Sequence, residues 1–220
     1  MKNKFIVIEG ACDGVGKTTQ VKMLEEHLQK DGINVISHHF PSYNSDMGVL
    51  ISNYLEGKYG NINELSPYFI NSLYALDRKI VSDILKDTNA VILLDRYTTS
   101  SLIYQSALIN DKTEKNNFID YIIDYEYNKL NIKSPDEVIF LNAPFDLITK
   151  IRKERKNNEG VKQDIHENNI EFMKKVYNNA LYISNYLSWN IINCNTNNKL
   201  RNKEEIHNDI YKLVKKKIDR

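Results

Sequence analysis

From Asp13 to Thr18 the chain reads Asp-Gly-Val-Gly-Lys-Thr, residue types suited to holding a polyphosphate. Glycines at 14 and 16 let backbone N–H groups converge on phosphate oxygens. Lys17 can reach the β- and γ-phosphates, and the Thr18 hydroxyl can ligate a magnesium ion. The pattern G-x-x-x-x-G-K-[ST] wants its first glycine at position 11, where the sequence has Ala11, with Gly10 one place earlier. That extra residue lies upstream of every group carrying charge. Since one added residue costs little loop entropy, a bulge at Ala11-Cys12 is expected, with a strained backbone near Ala11. Gly14, Val15, Gly16, Lys17, Thr18 and Thr19 are then the expected contacts to a nucleotide's phosphates.

A second constellation ends the run Val91-Ile-Leu-Leu-Asp-Arg96. A parallel sheet presents its carboxyl edge to ligands, so Asp95 and Arg96 are candidates for metal and phosphate binding. Taken alone, Asp95 also suits a helix cap. His38-His39 has no cysteine or carboxylate at ligand spacing and reads as solvated. Cys12, beside an expected helix N-terminus, suggests a lowered pKa and an oxidisable thiol.

The loop needs a strand leading in and a helix leading out. Five short runs read as strands: Phe5–Ile8, Asn34–Ser37, Ala90–Leu94, Glu137–Leu141 and Trp189–Asn193. Several are almost continuous Val, Ile, Leu and Phe, as in a parallel sheet covered on both faces. Helical patterns separate them. Val21, Leu24 and Leu28 precede Asp31-Gly32, and Ser66-Pro67 opens a pattern running to about Lys86. Ile170, Met173, Val176, Tyr177, Ala180 and Leu181 form a third, and Glu204 to Ile218 a lysine-rich last. This alternation predicts one α/β domain over 1–220, a three-layer P-loop NTP-hydrolase-type sandwich with a five-stranded parallel sheet and helices on both faces. The polar stretch Lys150–Glu167, interrupted by Gly160, is the expected mobile lid at about 150–167.

Bulk properties narrow the classes further. The chain has 220 residues, 41% hydrophobic, and a net charge of +1, which gives no global pull toward nucleic acid or membrane. Two cysteines cannot build a disulfide framework and fit a reducing interior. The short apolar N-terminal stretch reads as a strand rather than a signal peptide, and no run approaches bilayer length. A cytoplasmic protein is expected, without membrane or nucleic-acid partners.

Several segments together, in order over about residues 5 to 195, resemble the thymidylate (dTMP) kinases. They are Glu9-Gly10 with Asp13-Gly-Val-Gly-Lys-Thr-Thr-Gln20; Phe40-Pro41; Tyr74-Ala-Leu-Asp-Arg78; Asp95-Arg-Tyr97 with Ser101 and Tyr104-Gln105; and Ser134-Pro-Asp-Glu-Val138. The resemblance implies phosphoryl transfer from ATP to dTMP with Mg²⁺ as cofactor. It implies that Asp13 meets the nucleotide sugar or helps position the metal with Thr18 and Asp95. Phe40, Pro41, Tyr74, Arg78, Asp95, Ser101, Tyr104 and Gln105 would then surround the acceptor, with Tyr74 stacked on the base and Arg78 at its carbonyl edge. Arg96 would clamp the acceptor phosphate. Members with a neutral residue after the loop's acidic one tend to carry catalytic arginines in the lid, which here points to Arg155 first and Arg152 second. Asp164 and Glu167 are matched to lid carboxylates, and Asn195, in Cys194-Asn-Thr196, to the adenine cradle. A homodimer packed through the 98–108 and 114–130 segments is the corresponding expectation.

Two departures stand out. One is the added loop residue. The other is Ser42-Tyr-Asn-Ser-Asp-Met-Gly48, which lacks an arginine for the acceptor phosphate, leaving more to Arg96 or to Lys58. A kinase for another deoxynucleotide or a deoxynucleoside is the near alternative; a catalytically silent nucleotide-binding paralogue is the non-enzymatic one. A GTPase-like switch is disfavoured, because Asn128-Lys-Leu-Asn131 lacks the aspartate of the guanine-specifying segment.

Overall fold

The structure is a computed structural model that describes residues 3–159, 165–166 and 169–219, the side chains of 155–159 excepted. Its main sheet holds five strands, all parallel, in the order β2-β3-β1-β4-β5. They are β1 (Lys4–Gly10), β2 (Val35–His39), β3 (Val91–Asp95), β4 (Glu137–Asn142) and β5 (Asn190–Asn193). All five expected strands are present, each within two residues of its sequence bounds. The helices are α1 (Lys17–Lys30), α2 (Asp46–Leu55), α3 (Pro67–Leu85), α4 (Thr98–Tyr104), α5 (Lys112–Ile123), α6 (Phe145–Glu159), α7 (Ile170–Tyr186) and α8 (Lys203–Ile218).

Alternation along the strands explains the layers. Ile6 and Ile8 of β1 and Val91 and Leu93 of β3 join a core with Leu24 and Leu28 of α1. Their neighbours Phe5, Val7, Ile92 and Leu94 join a second core with Leu85 of α3. A strand buried on both faces has no polar side to show, which is why these runs read as continuous apolar segments. The result is the expected three-layer sandwich.

Three features lie outside the sequence expectations. Helix α2 is capped by Ser45, whose hydroxyl accepts from the Gly48 N–H at 3.0 Å. A π-helical turn, Asp124–Lys129, continues α5. A two-stranded antiparallel hairpin, β6 (Asn195–Thr196) with β7 (Lys199–Leu200), follows β5. The first half of the expected lid, residues 150–159, is the end of α6. Gly160 to Asp164 and Glu167 lie outside the described residues.

Most of the 98–108 segment, expected to supply a dimer face, is turned into the core, with Ser100, Tyr104 and Leu108 partly exposed. Thr98, Thr99, Ser101, Leu102, Ile103, Ser106 and Ala107 are all buried, and Asn179 of α7 donates to the Ile103 carbonyl at 2.7 Å. In the 114–130 segment Phe118, Ile119, Ile122 and Glu126 also face inward.

Candidate active site

Strand order reverses at β1, whose neighbours are β3 on one side and β4 on the other, and open α/β sheets bind ligands beyond such a point. The phosphate-type loop leaves β1 there. Gly10 ends the strand in a tight spot: a Cβ at that position would stand 2.7 Å from Val15 Cγ1 and 3.2 Å from the Leu141 carbonyl. Val15 is thus packed beneath the loop rather than in the cleft. Ala11 and Cys12 form a buried bend after the strand. The left-handed backbone falls at Gly14 (φ 102°) and Gly16 (φ 101°), and Ala11 is not among the positive-φ residues. The strain expected at Ala11 is therefore not found; glycines carry the unusual dihedrals without a Cβ penalty. Gly16 precedes α1 with no side chain capping the helix, which leaves its first N–H groups and positive dipole end facing the cleft.

Lys17 is 5% exposed, its ammonium donating to the Cys12 carbonyl (3.1 Å) and to Asp13 (3.0 Å). Asp13 also pairs with Arg96. Partial desolvation acts to raise the Asp13 pKa, but Arg96 and Lys17 outweigh it and hold the carboxyl far below its usual range. Cys12 goes the other way from its sequence reading. It is buried, and desolvation pushes its thiol up to about 11 against a reference of 9.0, despite Lys17, Arg152 and Arg96 nearby. Burial wins over the positive surroundings. We expect iodoacetamide at pH 8 to label native Cys12 about a hundredfold more slowly than a peptide thiol, followed by mass spectrometry. Labelling at the peptide rate would contradict the burial of this bend.

Asp95 pairs in register with Ile8, and the next residue, Arg96, donates its backbone N–H to the Ile8 carbonyl at 3.2 Å. Arg96 has φ 69°, a conformation uncommon for residues other than glycine and asparagine. Asp95 does not cap α4, whose N-cap is Tyr97 with no side-chain bond. Its Oδ2 accepts from the Thr18 hydroxyl (2.5 Å) and lies 3.1 Å from His39 Nδ1. His39 is therefore engaged with this carboxylate, not merely solvated. Burial would raise the Asp95 pKa, yet the bonds from His39 and Thr18 and the charges of Lys17 and Arg96 lower it. Its Oδ1 is buried without a hydrogen-bond partner.

The Arg96 guanidinium sits over the Tyr104 ring, 5.5 Å from its centre. Beneath it lies Glu9, fully buried, 3.8 Å from Nη1 and held by the hydroxyls of Thr99 (2.6 Å) and Ser100 (2.7 Å). Sequence reading did not count Glu9 as a site residue. A charged side chain ending an otherwise apolar strand was the available signal.

One cleft of about 400 Å³ collects these groups, within the usual range for small-molecule sites. Its lining includes Asp13, Gly14, Gly16, Lys17, Thr18, Thr19, Asp95 and Arg96 from the phosphate end. Phe40, Pro41, Tyr74, Arg78, Ser101, Tyr104 and Gln105 line the remainder, so the residues assigned to the acceptor by resemblance share one cleft with the loop. The Phe40-Pro41 peptide is cis, and Phe40 donates its N–H to the Asp95 carbonyl at 3.0 Å. Tyr104 hydrogen-bonds the Ala11 carbonyl at 3.1 Å, fastening the acceptor wall to the inserted bend. His166 also lines the cleft, 3.0 Å from the Tyr54 hydroxyl; nothing in the sequence pattern marked it.

Other expected residues fall elsewhere. Asn195 belongs to the β6–β7 hairpin and is not part of the cleft lining. Lys58 is outside the cleft, bound to Glu56 and Asn53. The side chain of Arg155 lies outside the described residues. Arg152 is the lid arginine seen at the loop: its Cγ would stand 3.1 Å from a Cβ at Gly14.

Arg78 is bound more tightly than its sequence suggested. Its Nε and Nη2 donate to Glu126 at 2.7 and 2.5 Å, and Nη2 donates to Ser101 Oγ at 2.8 Å. Glu126 is fully buried on the π-helical turn and also accepts from the Thr98 hydroxyl at 2.7 Å. Forty-eight residues separate the pair in sequence.

Comparison with known proteins identifies the family. The family model described as thymidylate kinase matches residues 8–210. The chain is 32% identical over 221 residues to a thymidylate kinase of Plasmodium falciparum (isolate 3D7), covering 98% of this chain and 91% of that protein. It is 33% identical over 224 residues to a probable thymidylate kinase of Thermococcus onnurineus (strain NA1), covering 97% and 98%. Among solved structures, thymidylate kinase from Candida albicans shares the fold with a TM-score of 0.71, at 23% identity, over 98% of this chain and 92% of that one. By sequence and by fold alike, the chain belongs to the thymidylate kinase family of nucleoside monophosphate kinases, enzymes that transfer a phosphoryl group from ATP.

Proposed function

We propose that this protein transfers the γ-phosphoryl of ATP to dTMP, giving dTDP and ADP. The observation that carries this reading is the single cleft joining the phosphate loop to Arg96 and an aromatic acceptor wall. The donor phosphates lie against Gly14, Gly16, Thr18 and Thr19, with Lys17 on the β- and γ-oxygens. Arg96 leaves Asp13 for the acceptor phosphate, which the guanidinium fork matches. Tyr74 stacks on the base and Tyr104 crowds the sugar. The acceptor phosphate is already ionised, so no strong general base is required. Catalysis is in-line positioning together with charge neutralisation. Arg152, on the lid helix over Gly14, adds charge at the transferring group, and lid closure excludes water.

The residues present fit a magnesium ion. Asp95 Oδ1 is a buried oxygen with no partner, and the Thr18 hydroxyl is bonded to the same carboxylate. No cluster of three or more His, Cys, Asp or Glu is built to hold a metal among the described residues. Asp95 and Thr18, with Asp13 nearby, would hold it in company with phosphate oxygens and water, as this cation prefers. When bound, the ion neutralises charge on the β- and γ-phosphates.

The reading is tested by ADP release with Mg-ATP, comparing dTMP with thymidine, dUMP, dCMP and no acceptor. dTMP-dependent turnover is expected. Turnover with thymidine alone would move the protein to the nucleoside kinases, and ATP binding without acceptor-dependent turnover would mark a silent paralogue.

A homodimer is part of the same proposal, with its face moved. Helix α3 exposes Leu76 (42%), Ile80 (51%) and Ile84 (68%) along one side, close to α2 with exposed Val49. Apolar groups at this spacing form a stripe suited to helix packing. Ile80→Glu is expected to reduce the light-scattering mass from two chains to one; an unchanged mass would place the face elsewhere. No described helix is long and apolar enough to cross a membrane, and a cytoplasmic location is our reading from two unpaired, buried cysteines.

A further inference from the structure

Two arginines line the cleft, and the carboxylates that hold them differ in one respect. Asp13, the partner of Arg96, is 58% exposed on a loop and is free to yield its place to an anion. Glu126, the partner of Arg78, is 0% exposed and enclosed on every side. Besides its two bonds from Arg78 it accepts from Thr98, and its backbone carbonyl accepts from the Ile132 N–H at 2.9 Å. Withdrawing Glu126 would leave a buried guanidinium unpaired, a state strongly disfavoured. The pair therefore stays closed and neutral. It offers a phosphate no net charge.

What remains is a directed donor. Nε is committed to Glu126, and Nη2 to Glu126 and Ser101. Nη1 keeps only a long contact to the Tyr97 carbonyl, 3.4 Å. Arg78 lines the cleft one helical turn beyond Tyr74, so this edge adjoins the aromatic wall. A neutral pocket with one spare N–H donor fits a base that presents a carbonyl oxygen. A base presenting an amino group there would set N–H against N–H and leave the buried donor unpaired. The π-helical turn is what brings Glu126 to this depth, and such turns gather at functional sites.

We propose that Glu126 is a positioning residue that locks the Arg78 guanidinium with Nη1 toward the acceptor base, selecting pyrimidine nucleotides with a carbonyl at that edge over those with an amino group. This rests on the thymidylate kinase reading for the acceptor's identity. The test is steady-state kinetics at saturating Mg-ATP with dTMP, dUMP and dCMP, on wild type, Glu126→Gln, Arg78→Gln and the double variant. Glu126→Gln is expected to raise the KM for dTMP and dUMP about tenfold and to lower the dTMP over dCMP preference about tenfold. Its kcat with dTMP and its KM for ATP should stay within about threefold. The double variant should be no worse than Arg78→Gln, because Glu126 acts through that arginine.

An unchanged dTMP KM and preference in Glu126→Gln overturns the proposal, as do losses falling equally on every acceptor and on ATP, or additive losses in the double variant. Should Glu126→Gln give no cooperative melt, Glu126→Asp keeps the charge and moves it by one methylene; the same shift in acceptor preference is expected, and none overturns the proposal. Wild-type preference for an acceptor other than dTMP, read before any variant, overturns the functional reading and the carbonyl assignment together.

Discussion

Lys17→Met removes the ammonium and leaves its stem, and kcat is expected to fall by about a thousandfold or more. The reason is placement. The Lys17 side chain is 5% exposed, its ammonium held against the loop, and in such a low-dielectric setting a charge aimed at the transferring phosphoryl acts strongly. Its present partners, the Cys12 carbonyl and Asp13, are both on the loop and do not hold the core together. Folding is therefore expected to survive, with the melting temperature within about 5 °C of wild type. Nucleotide binding should persist too, because backbone N–H groups and the α1 terminus remain. Isothermal titration with ATP and a coupled ADP assay separate the two effects. A kcat within tenfold of wild type would mean that the phosphates do not lie on this loop, and the inserted residue would then be the first suspect.

Arg96→Ala carries the second large effect, and it is expected on the acceptor side. The chain lacks an arginine after Phe40-Pro41, and Lys58 is turned away toward Glu56 and Asn53. With Arg78 held by Glu126, Arg96 is the cleft arginine we assign to the acceptor phosphate, and losing it should lower kcat/KM for dTMP by about a thousandfold, near 4 kcal/mol. Two features sharpen the expectation. Its backbone at φ 69° holds the side chain at the sheet edge, and Glu9 below is fully buried, fixed by Thr99 and Ser100. Arg96→Lys should recover little, since an ammonium cannot reproduce the planar fork over Tyr104. Steady-state assays varying dTMP at fixed Mg-ATP decide the matter. A loss confined to the KM for ATP would assign Arg96 to the donor instead.

Much of this architecture was readable from the residues. A strand covered on both faces has to be apolar throughout, so Phe5–Ile8, Ala90–Leu94 and Glu137–Leu141 announced a buried parallel sheet. Glycine, lysine and threonine at 14 to 18 announced a phosphate loop because few other settings call for that combination in that order. Strand Asn34–Ser37 was weaker, half polar, and forms one edge of the sheet. Helix α2 escaped notice because its start depends on a short Ser45 cap, and β6 and β7, at two residues each, are too brief for any periodicity to register.

What tertiary structure alone decided follows from distances that sequence spacing does not measure. Local pattern placed Cys12 next to a helix N-terminus, where a thiol should acidify; the fold buried it, and desolvation exceeded the pull of the nearby cations. Local pattern also offered Asp95 as a cap, whereas the register of β1 with β3 carries it to Thr18, with His39 arriving from β2. Arg152 meets Gly14 only because α6 crosses above the loop. Arg78 and Glu126 come from different helices, and no periodicity links them. Sequence by itself determined the elements and the chemistry they carry, since both follow from neighbouring residues. Burial and long-range partnership, which set charge state and orientation, appear only when strands far apart in the chain lie side by side.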